Sequence, residues 1–380
     1  MDFIRSAITK TKPVAHAVEN IALKLHKDPA LLLFFASTAY SFEELTTHFA
    51  QKYPNAQIVG VTTTGEIGPQ GFEEFSLSAQ SYSQQFGKMH AVLMKDIVKY
   101  PIFERQHLLQ AAKTVGIQTQ SKLVENEGLA FVFPVGLQAA EEKMLSVVNS
   151  IFTHDGFPIF GGTAGDDAKF KVTYVSVNGE MTSTGGAVIF MKPNVDFYIL
   201  KENNFKSTSK KLKVTKADAQ KRIVYEMDGR PAAEAYAKAI GVPTKQLANH
   251  WSLHPLGRKF NHDFYNASPF DIKPSGAIEF YCQVYEGAIL EVLEPRDAVQ
   301  EMQKTISQFT DRFGELYGVT ACNCILRKLQ FQQEHLFQSM NEHLKQLPNL
   351  CGFSSYGEQL NKSQLNQTML LIGFGKLRAE

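Results

Sequence analysis

Ile58-Val-Gly-Val-Thr-Thr-Thr-Gly-Glu66 is written again as Ile159-Phe-Gly-Gly-Thr-Ala-Gly-Asp-Asp167 and a third time as Leu350-Cys-Gly-Phe-Ser-Ser-Tyr-Gly-Glu358. In each copy an apolar run of strand character enters a glycine, bends through small or hydroxyl residues, and leaves through a second glycine and an acid. Glycine accepts backbone angles and close approaches that a side chain forbids. The repetition therefore predicts strand ends that bend around a common cavity lined by backbone donors and hydroxyls. Three ordinary strand corners without a ligand are the plain alternative. The glycines stand one residue closer in the second copy, and no lysine follows them, which argues against a phosphate loop or a dinucleotide fingerprint.

Outward from the first turn, the continuous apolar run Leu31–Ser37 reads as a strand covered on both faces. Ser41 and the acids behind it open a helix to about Tyr53, and Gln57–Thr63 supplies the next strand. This is a crossover unit, and a second one follows as Gly128–Pro134, a helix over 138–152 and a strand at Pro158. Residues 75–82 and 88–94 alternate like half-exposed strands. Asn178-Gly179 predicts a hairpin that joins 171–177 to 186–191. Residues 2–26 read as loosely helical up to Pro13 and beyond it.

The lysine-rich stretch 201–221 reads as a domain boundary or an exposed edge strand. Beyond it, proline at the entry of a helix ending at Ile240 fits the first helical turn. Strands are expected near 251–258, 263–268, 276–284 and 288–293, then a helix over 295–313, a strand over 318–323, one long helix over 326–344, and strands over 349–354 and 367–375. The fold class is α/β and α+β: two mixed-sheet domains covered by helices, over residues 1–205 and 206–380.

The 380 residues are 44% hydrophobic and 20% charged with a formal charge of +1, which excludes a disordered chain and gives no basic excess for nucleic acid. The four cysteines form neither a C-x-x-C motif nor a spaced zinc framework, so a reducing compartment is expected. The first ten residues lack a signal-peptide core and no stretch is long enough to span a bilayer, so the expected location is cytoplasmic. The 28 phenylalanines imply either a large core or a pocket for a flat apolar ligand. No nucleophile elbow or H-E-x-x-H is present, and no enzymatic activity is expected.

The chain resembles the FIST proteins, a bacterial sensory family with an N-terminal and a C-terminal FIST domain. The resemblance rests on Val59–Glu66, Phe160–Asp167 with Phe170, Met227–Ala232, His254-Pro-Leu-Gly257, Ser275-Gly-Ala-Ile, Glu286-Gly-Ala, Cys324 with Arg327, and Gly352–Glu358, in the family's order over most of the chain. It implies a non-catalytic ligand sensor. Stand-alone members include haem-binding nitric oxide sensors that regulate an associated histidine kinase. For this chain the resemblance thus implies haem b as cofactor, nitric oxide as ligand and a separate histidine kinase as two-component partner, with a homodimer among the arrangements it allows.

A haem sensor needs an axial donor, an apolar slot and a free coordination position. Asn249–Gly257 offers His254 as the first choice and His250 as the alternative, beside Trp251, Pro255 and Leu256. In an extended segment, His250 and His254 share a face; the plain alternative is that either imidazole satisfies a buried carbonyl. Arg258 and Arg327 are the candidate cations for the propionates, and a thiolate at Cys322 or Cys324 is a further donor. His262 sits beside Asp263 in a polar turn. The rival reading is a haem-free sensor for a small metabolite such as an amino acid, in which Arg327 takes a carboxylate, Glu358 takes an ammonium group and the hydroxyl-rich turns complete the site.

Overall fold

A computed structural model describes residues 2–260 and 263–378 of the chain. They form two compact units: unit 1 runs to Lys201, resumes over Gln303–Ser363 and closes from Met369, and unit 2 comprises Glu202–Met302 and Gln364–Thr368. The expected division at 205/206 lies close to the first crossing, but the chain then returns to unit 1. No helix among the described residues is long and apolar enough to cross a membrane.

Unit 1 uses one plan three times. The first copy runs β1 (Ile4–Thr9), α1 (Val14–Ala22), β2 (Pro29–Ala36), α2 (Phe42–Lys52), β3 (Gln57–Thr62), the hairpin β4 (Glu66–Gly68) and β5 (Gly71–Glu73), and β6 (Leu77–Ser83). β2 and β3 are parallel, and β6 lies antiparallel between β2 and β1. Leu31–Ala36 are fully buried, as a strand with both faces covered requires. Ser41 caps α2 by accepting from the Glu44 amide at 3.3 Å, with Glu43 and Glu44 against the positive end of the helix. The expected helix before Pro13 is instead β1, which is locked in register to β6 from Ile4 to Thr9.

The second copy repeats the order with β7 (Gly87–Met94), α3 (Arg105–Val115), β8 (Leu129–Pro134), α4 (Glu141–Asn149), β9 (Ile159–Gly162), the hairpin β10 (Val175–Val177) and β11 (Glu180–Thr182), and β12 (Gly186–Pro193). β8 and β9 are parallel, and β12 returns antiparallel to β8 and β7. Asn178-Gly179 does turn a hairpin, but between β10 and β11; residues 186–191 belong to β12 in another sheet. The third copy opens with β13 (Asp196–Glu202), where unit 2 is inserted.

Unit 2 contains β14 (Phe205–Asp218), β15 (Ile223–Met227), β16 (Arg230–Pro231), α5 (Ala232–Ile240), β17 (Leu256–Phe260), β18 (Asp263–Ala267), β19 (Pro269–Ile272), β20 (Ile278–Phe280) and β21 (Ile289–Pro295). Its strand order is β18-β17-β21-β14-β15-β20-β19, with β16 paired to β15. The lysine-rich stretch is therefore a central strand, correcting the edge expectation. Leu212 and Val214 enter the core under α5 while Lys211 and Lys213 point to solvent, a period-two pattern that lysine abundance obscures. Residues 250–254 are turn, not strand: the His254 amide donates to His250 O and the Trp251 amide to Leu247 O, continuing the helical turn before them. The period-two argument for a shared face of His250 and His254 does not apply.

α6 (Ala298–Asp311) leads back to the third copy: β22 (Phe313–Cys324), α7 (Ile325–Gln333), α8 (Phe337–Leu344), β23 (Leu350–Ser355), the hairpin β24 (Glu358–Leu360) and β25 (Ser363–Leu365), and β26 (Met369–Leu377). β22 and β23 are parallel and β26 is antiparallel to β22, so this stretch repeats the mixed-sheet plan of the first two copies. The expected long helix over 326–344 is broken between α7 and α8, where His335 adopts a left-handed φ of 56°.

Each copy extends the sheet of another. β10–β11 of the second lies beyond β3 of the first, β24 of the third beyond β9 of the second, and β4–β5 of the first beyond β23 of the third. Phe35, Phe133 and Phe353, one from each copy, meet with ring centroids 4.7, 5.9 and 6.1 Å apart. At least these phenylalanines serve the core, each aromatic pair adding about 1 kcal/mol beyond burial.

The leading glycine of the second and third turns is fixed by close approach. A Cβ on Gly161 would stand 1.8 Å from Val132 O, and one on Gly352 2.0 Å from Ala321 O, both backbone atoms of the parallel neighbour. We expect Gly161→Ala to lower unfolding stability by about 3 kcal/mol or more. Gly314→Ala, where the nearest atom is Lys376 O at 3.7 Å, is expected to stay within about 1 kcal/mol. Urea unfolding of both variants checks the difference.

Candidate functional site

The three repeated turns close on one another. Between the first and third, the Thr64 amide donates to Ser354 O at 3.0 Å and the Ser354 amide to Gly65 O at 2.7 Å. Between the second and third, the Thr163 amide donates to Gly357 O at 2.8 Å and the Tyr356 amide to Thr163 O at 3.1 Å. Between the first and second, the Gly165 and Asp167 amides donate to Thr62 O and Thr63 O, each at 2.8 Å. The strand ends do converge. Their backbone donors, however, satisfy one another instead of lining an open cavity, as burial demands.

The acids hold the bends. Glu66 accepts from Thr63 Oγ1, from the Ser76 amide at 2.9 Å and from Ser76 Oγ at 2.6 Å. Glu358 repeats the pattern, accepting from Ser355 Oγ at 2.8 Å. Asp166 accepts from the amides of Phe170, Lys171 and Val172 and from the Tyr356 hydroxyl, while Asp167 accepts from the Ser37 hydroxyl and from the amide and hydroxyl of Thr38. Phe170, held at a left-handed φ of 53°, stacks on Tyr356 with 5.2 Å between ring centroids.

Arg327 and Glu358 are brought into one buried network. Arg327 is fully buried at the start of α7, with Nε donating to Asn323 Oδ1 at 3.1 Å and the guanidinium over the Phe331 ring. Ser355, the donor to Glu358, lies 3.4 Å from Asn323 O. Cys322 and Cys324 are buried beside this network. Burial, reinforced by the negative charge of Glu358, pushes the Cys322 thiol well above its ordinary range, so a thiolate there is disfavoured.

The remaining predicted residues lie in unit 2. His250 and His254 are half-buried in the turn after Asn249, and the carbonyl of His254 accepts from the Tyr236 hydroxyl. Trp251 packs against the unit's core, Leu256 is fully buried within it, Pro255 is buried, and Arg258 is half-buried on β17. His262 lies outside the described residues. Lys328 and Ser354, neither of them a site residue expected from the sequence, line a cleft of about 170 Å3 in unit 1. The available signal was their position: Lys328 follows Arg327, and Ser354 lies inside the third turn.

Residues 30–230 match the model of the FIST N domain and residues 232–361 that of the FIST C domain, both sensor domains of signal transduction. The chain belongs to the FIST family. The boundary between the two matches falls at the entry of α5, inside unit 2, so the two matches and the two compact units divide the chain differently. An uncharacterized protein of Methanocaldococcus jannaschii is 22% identical over 377 residues, spanning 90% of this chain and 72% of that protein.

Burial raises the Glu66 carboxyl from its ordinary 4.5 to about 7, against the lowering effect of the Ser76 and Thr63 hydrogen bonds. Its folded state holds the proton more tightly than the unfolded chain. The resulting stabilisation is full below 4.5 and is lost as pH rises through about 7, a fall of roughly 3 kcal/mol. Glu66→Gln lacks this component, so its stability is expected to gain on wild type by that amount across the window. Parallel stability curves would refute the assignment.

Proposed function

We propose that this protein is a non-catalytic sensor that binds a small polar metabolite in unit 1 and signals through a separate protein. The observation that carries this reading is the pair of ionisable side chains Arg327 and Glu358, kept at 0% exposure in one network beside the joined turns. Withdrawing charges from water costs several kcal/mol each, and an apolar junction of the same volume is often the more stable one. Retention of such groups is characteristic of sites that recognise charge. In the amino-acid form of this reading, Arg327 takes the ligand carboxylate and Glu358 its ammonium group, and binding opens the junction that seals them. Movement there changes the hairpins that each sheet receives from another copy, which supplies two distinguishable states.

A second reading is a haem b sensor for nitric oxide that regulates a partner histidine kinase. It is favoured by the His254 turn, whose backbone is held at both ends while the imidazole remains half-buried. The fit is partial. An axial donor and Arg258 are at hand, but Tyr236, Leu247 and Leu256 beside the turn are packed into the unit's own core, and Arg327 belongs to unit 1. When bound, haem would supply the gas-binding iron, with His254 as its protein ligand.

The two readings separate in one set of measurements on purified protein. The metabolite reading expects a colourless protein whose melting temperature rises with a particular metabolite, and loss of that rise in Arg327→Met and Glu358→Gln. The haem reading expects a Soret band that shifts with nitric oxide and is lost in His254→Ala with folding retained by circular dichroism. A Soret band without any metabolite response would overturn the first reading.

A further inference from the structure

We propose that the cleft beside the third turn binds the carboxylate of a small monocarboxylic acid, with Ser354 and Lys328 on the carboxylate and Phe72 and Phe337 against its apolar part. The proposal rests on the metabolite reading and names a ligand class and an entry point for it. The cleft holds about 170 Å3, which limits the ligand to a small molecule.

Glu74 is paired with Lys328 at 2.6 Å and Glu73 with Lys10 at 2.6 Å, so the charges of the lining balance, and the donors left over are ones that a carboxylate accepts and an ammonium group does not. Lys328 Nζ also donates to Thr64 O at 2.6 Å, which leaves one N–H of the three on an ammonium. Its side chain is only 14% exposed, so the charge acts in a partly desolvated place.

Ser354 provides an independent pointer. The residue is 1% exposed, it lines the cleft, and its hydroxyl has no hydrogen-bond partner among the described residues. Its neighbours Phe353 and Ser355 face the phenylalanine cluster and Glu358, so strand alternation turns Ser354 to the opposite side. A buried hydroxyl without a partner is unfavourable until something bonds to it.

The apolar wall is fixed by α8. Asn341 accepts from the Phe72 amide at 2.7 Å and donates to Phe72 O at 3.3 Å, and Phe72 lies 5.7 Å from the Phe337 ring. A ligand against these rings would also bridge the hairpin β4–β5, α8 and β23, and so act on the turn junction itself.

Calorimetry and thermal-shift measurements on the full chain test the proposal with benzoate, neutral benzamide and phenylalanine as probes. Benzoate is expected to bind and raise the melting temperature, benzamide to bind at least about tenfold more weakly, and Ser354→Ala to weaken benzoate about tenfold with folding unchanged. Lys328→Met is expected to abolish the preference for benzoate over benzamide. Failure of benzoate to bind, or equal affinity in wild type and Ser354→Ala, overturns the proposal. If benzoate fails while phenylalanine or another metabolite binds through Arg327, the proposal falls and the metabolite reading stands; if no metabolite binds, both fall.

Discussion

Six backbone hydrogen bonds tie the ends of β3, β9 and β23 into a closed set, two bonds for each pair of turns. Each bond contributes only about 1 kcal/mol net, but an unmade one would leave a buried polar group at a cost of a few kcal/mol. The set is therefore strongly cooperative: opening one turn orphans donors or acceptors in the other two. The exchanged hairpins enforce the same coupling, since each sheet of unit 1 includes chain from another copy.

This constraint explains why polar residues accumulate where an apolar core would otherwise form. A tight convergence of strand ends needs short side chains and acceptors near the backbone, which threonine, serine and acids provide. Glu66 and Glu358 play the same part three residues after Thr63 and Ser355. The second turn, one residue shorter, uses Asp166 and Asp167 to gather amides and hydroxyls instead. Placed between β13 and α6, unit 2 interrupts the third copy without changing its strand plan.

Much of the local structure was legible in the sequence. The glycine and hydroxyl punctuation marked the three turns, and continuous apolar runs marked the buried strands beside them. The exchange of hairpins was not legible, because pairing partners such as β4 and β23 lie far apart in the chain and no local pattern encodes their meeting. The break after α7 escaped notice because His335 takes the left-handed conformation without a glycine to announce it. Lysines hid the central place of β14, and the apolar residues around Trp251 suggested a strand where helical-type hydrogen bonds make a turn. Of the candidate site, Arg327 and Glu358 were readable as residue types, whereas their burial in one network and the place of Lys328 beside the turns required the packing of α7.

Amide hydrogen exchange measures the closed junction most directly. The amides of Thr64, Thr163, Gly165, Asp167, Ser354 and Tyr356 should exchange together, with one common opening free energy. Rapid exchange confined to one turn, with the other two still protected, would contradict a single cooperative junction.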